Sequence, residues 1–351
     1  MKHWIRIPER TSPDFWRWFG YFMAEGWVQP LRTTCRFWWT NGTPEIREDF
    51  FRLMQDLFGL EMKPRPRGYD GYVDSVQLRE FFEKMGLSVP LDAANKRVPP
   101  LLFRCSDEEI AAFLSGYLDG DGSVGLRDGL HVTTKSETLA RDLQDLFLRL
   151  GVVAFIREHW ARATNGSSPP QRYLMVSVYG DDLVVLSRWI QFRTPQKQQR
   201  LQALVERRQN SKRPTNWDTI PVDREQFRKV RQGLGFTQIS TGRPAWVQNI
   251  ERGATFPTRR VLQYFVDLFR QADAEGRYRN EIETMAFFAS EDIAWDHVVS
   301  VETVRLDIPY LYDFTMPTYS NFVGNGLILS NTHVFTTITG AMKNAFGGLL
   351  G

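Results

Sequence analysis

Two stretches of this chain write nearly the same phrase, GYFMAEGW at 20–27 and GYLDGDGS at 116–123. Each is an apolar run carrying small residues and ending in an acid followed by glycine. The two acids, Glu25 and Asp121, stand about a hundred residues apart, the length of a small domain. The flanks predict that each phrase closes a short helix. Ser12 is a good N-cap, Pro13 suits the first helical position and Asp14 the positive end of the dipole. Before the second phrase, Ser106 and Glu109 have capping-box spacing. Gly26 and Gly122 are expected to stop the two helices. Gly20 and Ala24 share one helix face, as do Gly116 and Gly120, so two such helices can approach backbone to backbone.

The likeness continues downstream, which makes the phrases parts of a duplicated unit. Residues 36–63 (RFWWTNGTPEIREDFFRLMQDLFGLEMK) follow the plan of 130–155 (LHVTTKSETLARDLQDLFLRLGVVAF): strand, turn, amphipathic helix, strand. A further strand and helix follow each, at 72–86 and at 173–190. Eleven Trp and 25 Phe predict well-packed globular units, and 351 residues leave room for two or three of them. A net charge of +3 does not by itself select a polyanionic partner. Cys35 and Cys105 fit no metal or disulfide framework. No apolar run approaches a membrane span and residues 1–10 have no signal-like core, so a soluble protein of a prokaryotic cytoplasm, with no membrane partner, is expected.

Side-by-side packing of the duplicated helices would bring Glu25 and Asp121 to one end, near a pseudo-two-fold axis. Adjacent carboxylates repel unless a cation lies between them, and a hard divalent ion with oxygen ligands suits the place: Mg²⁺, with Mn²⁺ as the alternative. Such a cluster can hydrolyse phosphodiesters. The plainer reading is two small-residue helices that pack with their acids solvated.

The paired phrases with their matching flanks resemble the motifs of the LAGLIDADG homing endonucleases in the monomeric two-repeat form, over roughly residues 13–210. The resemblance implies an α+β fold, a pseudo-two-fold duplicated αββαββα unit whose sheets form a saddle in the major groove of double-stranded DNA. It also implies a long asymmetric target site, metal held by Glu25 and Asp121, and cleavage of both strands. NKRVPPLLF at 95–103 resembles the family segment whose lysine approaches the cleavage site, and RTPQKQQRL at 193–201 is its counterpart. These make Lys96 and Lys197 candidates to stabilise phosphorane charge or orient water. Glutamate for aspartate at the first site moves that carboxylate one methylene outward. Arg36, Trp38, Thr40, His131 and Thr133 are strand residues, whose side chains alternate between faces, and are candidates to read bases, pending the register.

A second module follows the break at 212–221. Residues 222–275 resemble a phage-repressor helix-turn-helix domain, on the spacing R..R...GFTQ and the segment WVQNIERG. Its recognition helix would begin near Pro244 and offer Arg243, Trp246, Gln248 and Asn249. The stretch from Gln238 to Ile250 is short for that fold, so its second helix should be clipped.

Residues 295–332 are rich in β-branched and aromatic residues with turn punctuation and should form short strands. Their pattern YD.T.....NF..NG....N resembles the C-terminal splicing blocks of inteins. The resemblance implies cyclisation of Asn331, Thr332 as acceptor nucleophile, and an assisting Asp313. Ser320 and Ser330 stand where the family has histidines, and serine is no acid or base near neutral pH. The expected organisation is a lead-in at 1–12, repeats at 13–105 and 106–211, the helix-turn-helix module, a β-rich splicing segment at 290–331, and host sequence from 332 to 351. No Cys- or Ser-led block precedes the first repeat, so a truncated intein without autonomous splicing is expected. Two other readings stay open: a DNA- or RNA-binding protein that does not cleave, maturase- or repressor-like, and an element that only processes protein at Asn331.

Overall fold

The computed structural model describes residues 4–65, 69–161, 169–211, 218–291, 293–296, 298–303, 305, 321–324 and 327–330. The chain divides into two units, 1–296 and 297–351.

In the larger unit the first repeat runs α1 (Pro13–Glu25), β1 (Gly26–Pro30), β2 (Cys35–Thr40), α2 (Pro44–Phe58), β3 (Lys63–Pro64), β4 (Asp70–Asp74) and α3 (Val76–Lys84). After a 3₁₀ turn over Pro100–Arg104 come α4 (Asp107–Asp121), β5 (Gly122–Val124), β6 (Gly129–Thr134), α5 (Glu137–Arg149), β7 (Phe155–Ala161), β8 (Gln171–Tyr179) and α6 (Asp182–Leu186). Both sheets are antiparallel and share one strand order, β1-β2-β4-β3 and β5-β6-β8-β7. The plan αββαββα is therefore written twice. Local chemistry sets the helix starts: Ser12 Oγ accepts from Phe15 N at 3.2 Å, and Ser106 with Glu109 closes a complete capping box.

The two motif helices touch through their glycines. A Cβ on Gly20 would lie 2.1 Å from the Phe113 carbonyl oxygen, and one on Gly116 would lie 2.3 Å from that of Arg17. No side chain fits at either place. Gly26 and Gly122 do follow the helices, but not as left-handed caps. Both are extended (φ −95° and −75°), because each chain passes straight from helix into strand. Glycine is needed there for room: a Cβ would meet the Phe22 carbonyl at 2.6 Å or that of Leu118 at 2.4 Å.

One continuous core serves both repeats, from Phe15 to Val205. The first repeat fills it with rings. Trp16, Trp18 and Trp39 are fully buried, and Trp39 stacks on Phe50 at 4.1 Å with ring planes 7° apart. The second repeat fills its share with aliphatics such as Leu130, Val132, Leu143 and Val176.

Beyond α7 (Pro195–Gln209), a second core joins α8 (Arg224–Gly233), α9 (Pro244–Arg252), α10 (Arg259–Ala272) and α11 (Arg279–Ser290). Two differences from expectation arise here. The module does not stop at residue 275: Ile282, Met285, Ala286 and Ala289 of α11 belong to its core. The segment between α8 and α9, where a repressor places its second helix, holds only turns. Gly242 N donates to Ile239 O at 3.0 Å and Thr241 Oγ1 to Gln238 O at 2.6 Å. About ten residues cannot hold a connection, a stable helix and the turn that follows it.

At the seam between the second repeat and this module, Asp182 is only 5 % exposed. Its Oδ1 accepts from Val153 N at 2.8 Å, while Oδ2 has no partner among the described residues. Burial first, and then the charges of Asp218 and Asp181, push its carboxyl up from 3.8 to about 7. A folded-state pKa above the unfolded one gives stability that is lost as pH rises, here between about 4 and 7. Asp182→Asn keeps the Val153 bond and carries no charge. It should stabilise the protein by roughly 2 kcal/mol at pH 8 and not at pH 4, measured as thermal midpoints at the two pH values.

The smaller unit shows an antiparallel hairpin, β9 (Asn321–Gly324) with β10 (Leu327–Ser330), in which Ser330 pairs with Asn321. Val323 and Ile328, paired across it, are both exposed. Asp313, Ser320, Asn331 and Thr332 lie outside the described residues. Among the described residues no helix is long and apolar enough to cross a membrane.

Candidate functional site

The glycine contact between α1 and α4 places their last residues, Glu25 and Asp121, at one end. A Cβ on Gly120 would begin 2.5 Å from the Ala24 methyl and 3.1 Å from Glu25 Cγ, so the first acid lies against the closing turn of the second helix. Glu25 is half-buried and Asp121 keeps an exposed face. Loss of surrounding water raises the pKa of both acids, and each feels Lys96 and Lys197 in the opposite direction. For Asp121 the carboxyl is pushed up from 3.8 to about 7, with burial the largest cause and the Glu25 charge adding to it. The exposed face lets water screen part of that penalty.

The lysines arrive from near the end of each repeat and cap the two helices in matching fashion. Buried Lys96 donates from Nζ to Ala24 O of α1 at 2.8 Å. Lys197 Nζ donates to Leu118 O at 3.0 Å, Asp119 O at 2.5 Å and Gly120 O at 3.4 Å of α4. Cations at helix C-termini are favourable in themselves. Burial lowers the pKa of both lysines, and the charges of Glu25 and Asp121 oppose the shift. Thus the four residues singled out as chemical in the sequence do converge. The lysine nitrogens are tied to main-chain carbonyls, which holds the helix ends and leaves carboxylate oxygens for another cation.

Two supporting residues escaped the sequence reading. Asn41 is buried, donates from Nδ2 to Glu25 Oε1 at 2.9 Å, and accepts from Thr43 N on Oδ1 at 2.8 Å. It thereby fixes the first carboxylate from the start of α2. The only local signal was its place in a strand-to-helix turn, TNGTP. Asp119, buried two residues before Asp121, accepts from Arg193 N at 2.8 Å and Thr194 N at 3.2 Å and so anchors the segment that delivers Lys197.

The donor set suits a hard cation: two carboxylates and no thiol or imidazole. Among the described residues no cluster of three or more His, Cys, Asp or Glu could hold a metal ion. The protein would therefore supply two ligands and leave the rest to water and substrate oxygens, as Mg²⁺ sites commonly do.

The register settles the faces of the candidate base-reading residues. Cys35, Phe37 and Trp39 point into the core, so Arg36, Trp38 and Thr40 share the outer face of the first sheet. Leu130 and Val132 point inward, which puts His131 and Thr133 on the outer face of the second. Several are already engaged: Arg36 makes a two-pronged pair with Asp74 at 2.7 and 2.8 Å, and His131 Nδ1 lies 3.0 Å from Ser177 Oγ. On the helical module Arg243 and Gln248 are exposed, whereas Asn249 is half-buried and Trp246 leans on the module's core.

The family model described as a LAGLIDADG-like domain matches residues 108–186, which run through most of the second of these paired αββαββα units. Elongation factor 2 of Methanopyrus kandleri is 28 % identical over 335 residues, which is 93 % of this chain and 24 % of that protein. A subunit of the A-type ATP synthase of the same organism is 30 % identical over 93 % of this chain and 30 % of its own length. Glutamine–fructose-6-phosphate aminotransferase of Methanocaldococcus jannaschii is 22 % identical over 97 % of this chain and 29 % of its own. The chain thus spans less than a third of each of these curated relatives. Among solved structures, the homing endonuclease I-DmoI in complex with DNA and Ca superposes with TM-score 0.39 and 16 % identity, over 51 % of this chain and 88 % of that one. Full-length DUF199/WhiA superposes with TM-score 0.37 and 12 % identity, over 80 % and 94 %.

Proposed function

We propose that the chain is the homing endonuclease of an intein, cutting both strands of the intein-free host gene by Mg²⁺-dependent hydrolysis, and that it carries the intein's C-terminal splicing segment. The observation that carries the nuclease reading is the convergence of Glu25 and Asp121 at the ends of two helices packed through glycine. A divalent ion held by that pair, Mg²⁺ or Mn²⁺, would acidify a water and stabilise the leaving oxygen. Glu25 and Asp121 would hold the ion through their carboxylate oxygens, and Asn41 fixes the Glu25 carboxylate by donating to it. Lys96 and Lys197 bring positive charge toward a phosphate that gains charge in the transition state. The outer sheet faces, with Arg36, Trp38, Thr40, His131 and Thr133, supply the DNA-contacting surface. The helical module, through Arg243 and Gln248 at α9, lengthens the footprint and raises affinity by effective concentration.

The intein reading rests on the relatives. Proteins named as an elongation factor, an ATP synthase subunit and an aminotransferase have different tasks, yet each carries one stretch similar to nearly all of this chain. An element shared by unrelated hosts is what insertion into their genes leaves behind. In that reading Asn331 cyclises, Thr332 begins the downstream host segment, Asp313 assists, and Ser320 and Ser330 slow the reaction by replacing imidazoles.

The test uses a supercoiled plasmid carrying an uninterrupted copy of the host coding sequence across the insertion site. Full-length protein should linearise it in Mg²⁺ and leave it intact in EDTA. Retention of the plasmid without a cut, equal with and without metal, would overturn the nuclease reading in favour of a binding protein.

A further inference from the structure

The two sheets share a backbone plan but not an outer face. In the first sheet one register row crosses all four strands as Trp27, Trp38, Tyr72 and Lys63. The Trp27 and Trp38 rings stack 5.7 Å apart with planes 16° from parallel, and Tyr72 follows at 5.1 Å. In the second sheet the row in the same place reads Ser123, His131, Ser177 and Phe155. Three rings stand where the duplicate has two hydroxyls and an imidazole.

The polar groups around the rings are matched within the first sheet. Asp74 holds Arg36, whose guanidinium also lies 4.2 Å from the centre of the Tyr72 ring. Asp70 accepts from Thr40 Oγ1 at 2.6 Å. Arg65 covers the Trp38 ring at 4.1 Å, and Trp38 Nε1 donates to Gln29 Oε1 at 3.1 Å. An arginine that reads guanine needs both prongs free; the fork of Arg36 is already filled. What this sheet offers outward is apolar ring surface, chiefly Trp27, which keeps 36 % of its area exposed although it sits on Trp38. The second sheet instead exposes Ser123, Thr133 and His159, which can donate and accept, and Arg157, which donates.

We infer that the first repeat reads its half of the DNA site through the C5-methyl groups of thymine, packed against Trp27, while the second reads by hydrogen bonds. This rests on the proposed placement of both outer faces against double-stranded DNA. The major groove presents that methyl on thymine alone among the four bases, and apolar side chains distinguish it. The aromatic row buttresses Trp27, so the ring meets the groove as a rigid surface and not as a mobile side chain.

The full chain would first be used in EDTA to select binders from a pool of random-sequence duplexes. The selected duplex is then remade with deoxyuridine for thymine in each half separately. Uridine in one half only should weaken binding, by about fourfold for each methyl in contact, and uridine in the other half should change nothing. Trp27→Ala should bind the thymine and uridine duplexes equally, Trp27→Phe should keep the difference, and Ser123→Ala should leave it untouched. Equal affinity for thymine and uridine in both halves would overturn the inference and leave the DNA-binding reading standing, as would undiminished uridine sensitivity in Trp27→Ala. Tighter binding to the separated strands than to the duplex would also overturn it, and would assign the ring row to stacking with unpaired bases. Recovery of no duplex at all would refute the DNA-binding reading itself.

Discussion

Gly116→Ala is expected to lower stability by about 3 kcal/mol or more, and Gly20→Ala by a similar amount. The sign is the informative part. On a helix face with free space, alanine for glycine adds helix propensity and reduces the freedom of the unfolded chain, a gain of up to about 1 kcal/mol. Here the new methyl carbon would stand 2.3 Å from the Arg17 carbonyl oxygen, or 2.1 Å from that of Phe113 for Gly20. Backbone cannot yield as a flexible side chain can. The helices must part, and the packed rings of Trp16, Phe19 and Phe113 part with them. Once either substitution has opened the seam, the second finds it open, so the double variant should cost clearly less than the sum. Gly42→Ala is the control. Its Cβ would meet nothing closer than 3.9 Å, and its urea midpoint should stay close to that of the parent. A gain in midpoint for Gly116→Ala would refute the close contact on which the whole site depends.

Glu25→Gln and Asp121→Asn are each expected to reduce DNA cleavage by at least about a thousandfold while leaving retention of the DNA within a fewfold. Each swap preserves shape and removes the charge a cation would need. The same raised pKa gives two pH signatures of opposite use. Because Asp121 titrates near 7, protons compete with metal, and cleavage at limiting Mg²⁺ should rise as pH goes from 6 to 8. For folding, an acid whose folded pKa exceeds its unfolded one contributes stability at low pH that is lost as pH rises from about 4 to 7. Asp121→Asn should therefore melt higher than the parent at pH 8 and equally at pH 4. Screening at its exposed face limits that gain to about 1 kcal/mol. A variant that lost activity and stability together would mark Asp121 as a packing residue. Loss of activity with a gain in stability is the mark of a site kept at a cost to the fold.

Much of the architecture was legible in the residues because it is written locally. Helix starts follow from Ser12 with Pro13 and from the Ser106–Glu109 box, whose hydrogen bonds span a few residues. The strand–helix–strand periods of 36–63 and 130–155 carry the duplication. Asn41 was not legible, since its importance lies in a bond to Glu25, sixteen residues away. Nor was α11, whose apolar positions gain meaning only when Phe227, Phe265 and Phe269 give them a core to join. That Gly26 and Gly122 stop the two helices was a fair local inference from glycine's readiness to end a helix. Sterics from Phe22 and Leu118 give these glycines a different reason to be there.

By itself, then, the chain's sequence determined that one αββαββα unit occurs twice and that each copy ends its first helix in an acid. Caps, periodicity and small-residue spacing act over a few residues, and such signals survive without a partner. Only the tertiary structure decided that Lys96 and Lys197 grip helix carbonyls, that Trp27 is the ring facing outward, and that Asp121 holds its proton up to about 7. Those properties arise from strand register within each repeat and from the exclusion of water where the two repeats close on each other, and both join residues too distant in the chain for local signals to pair.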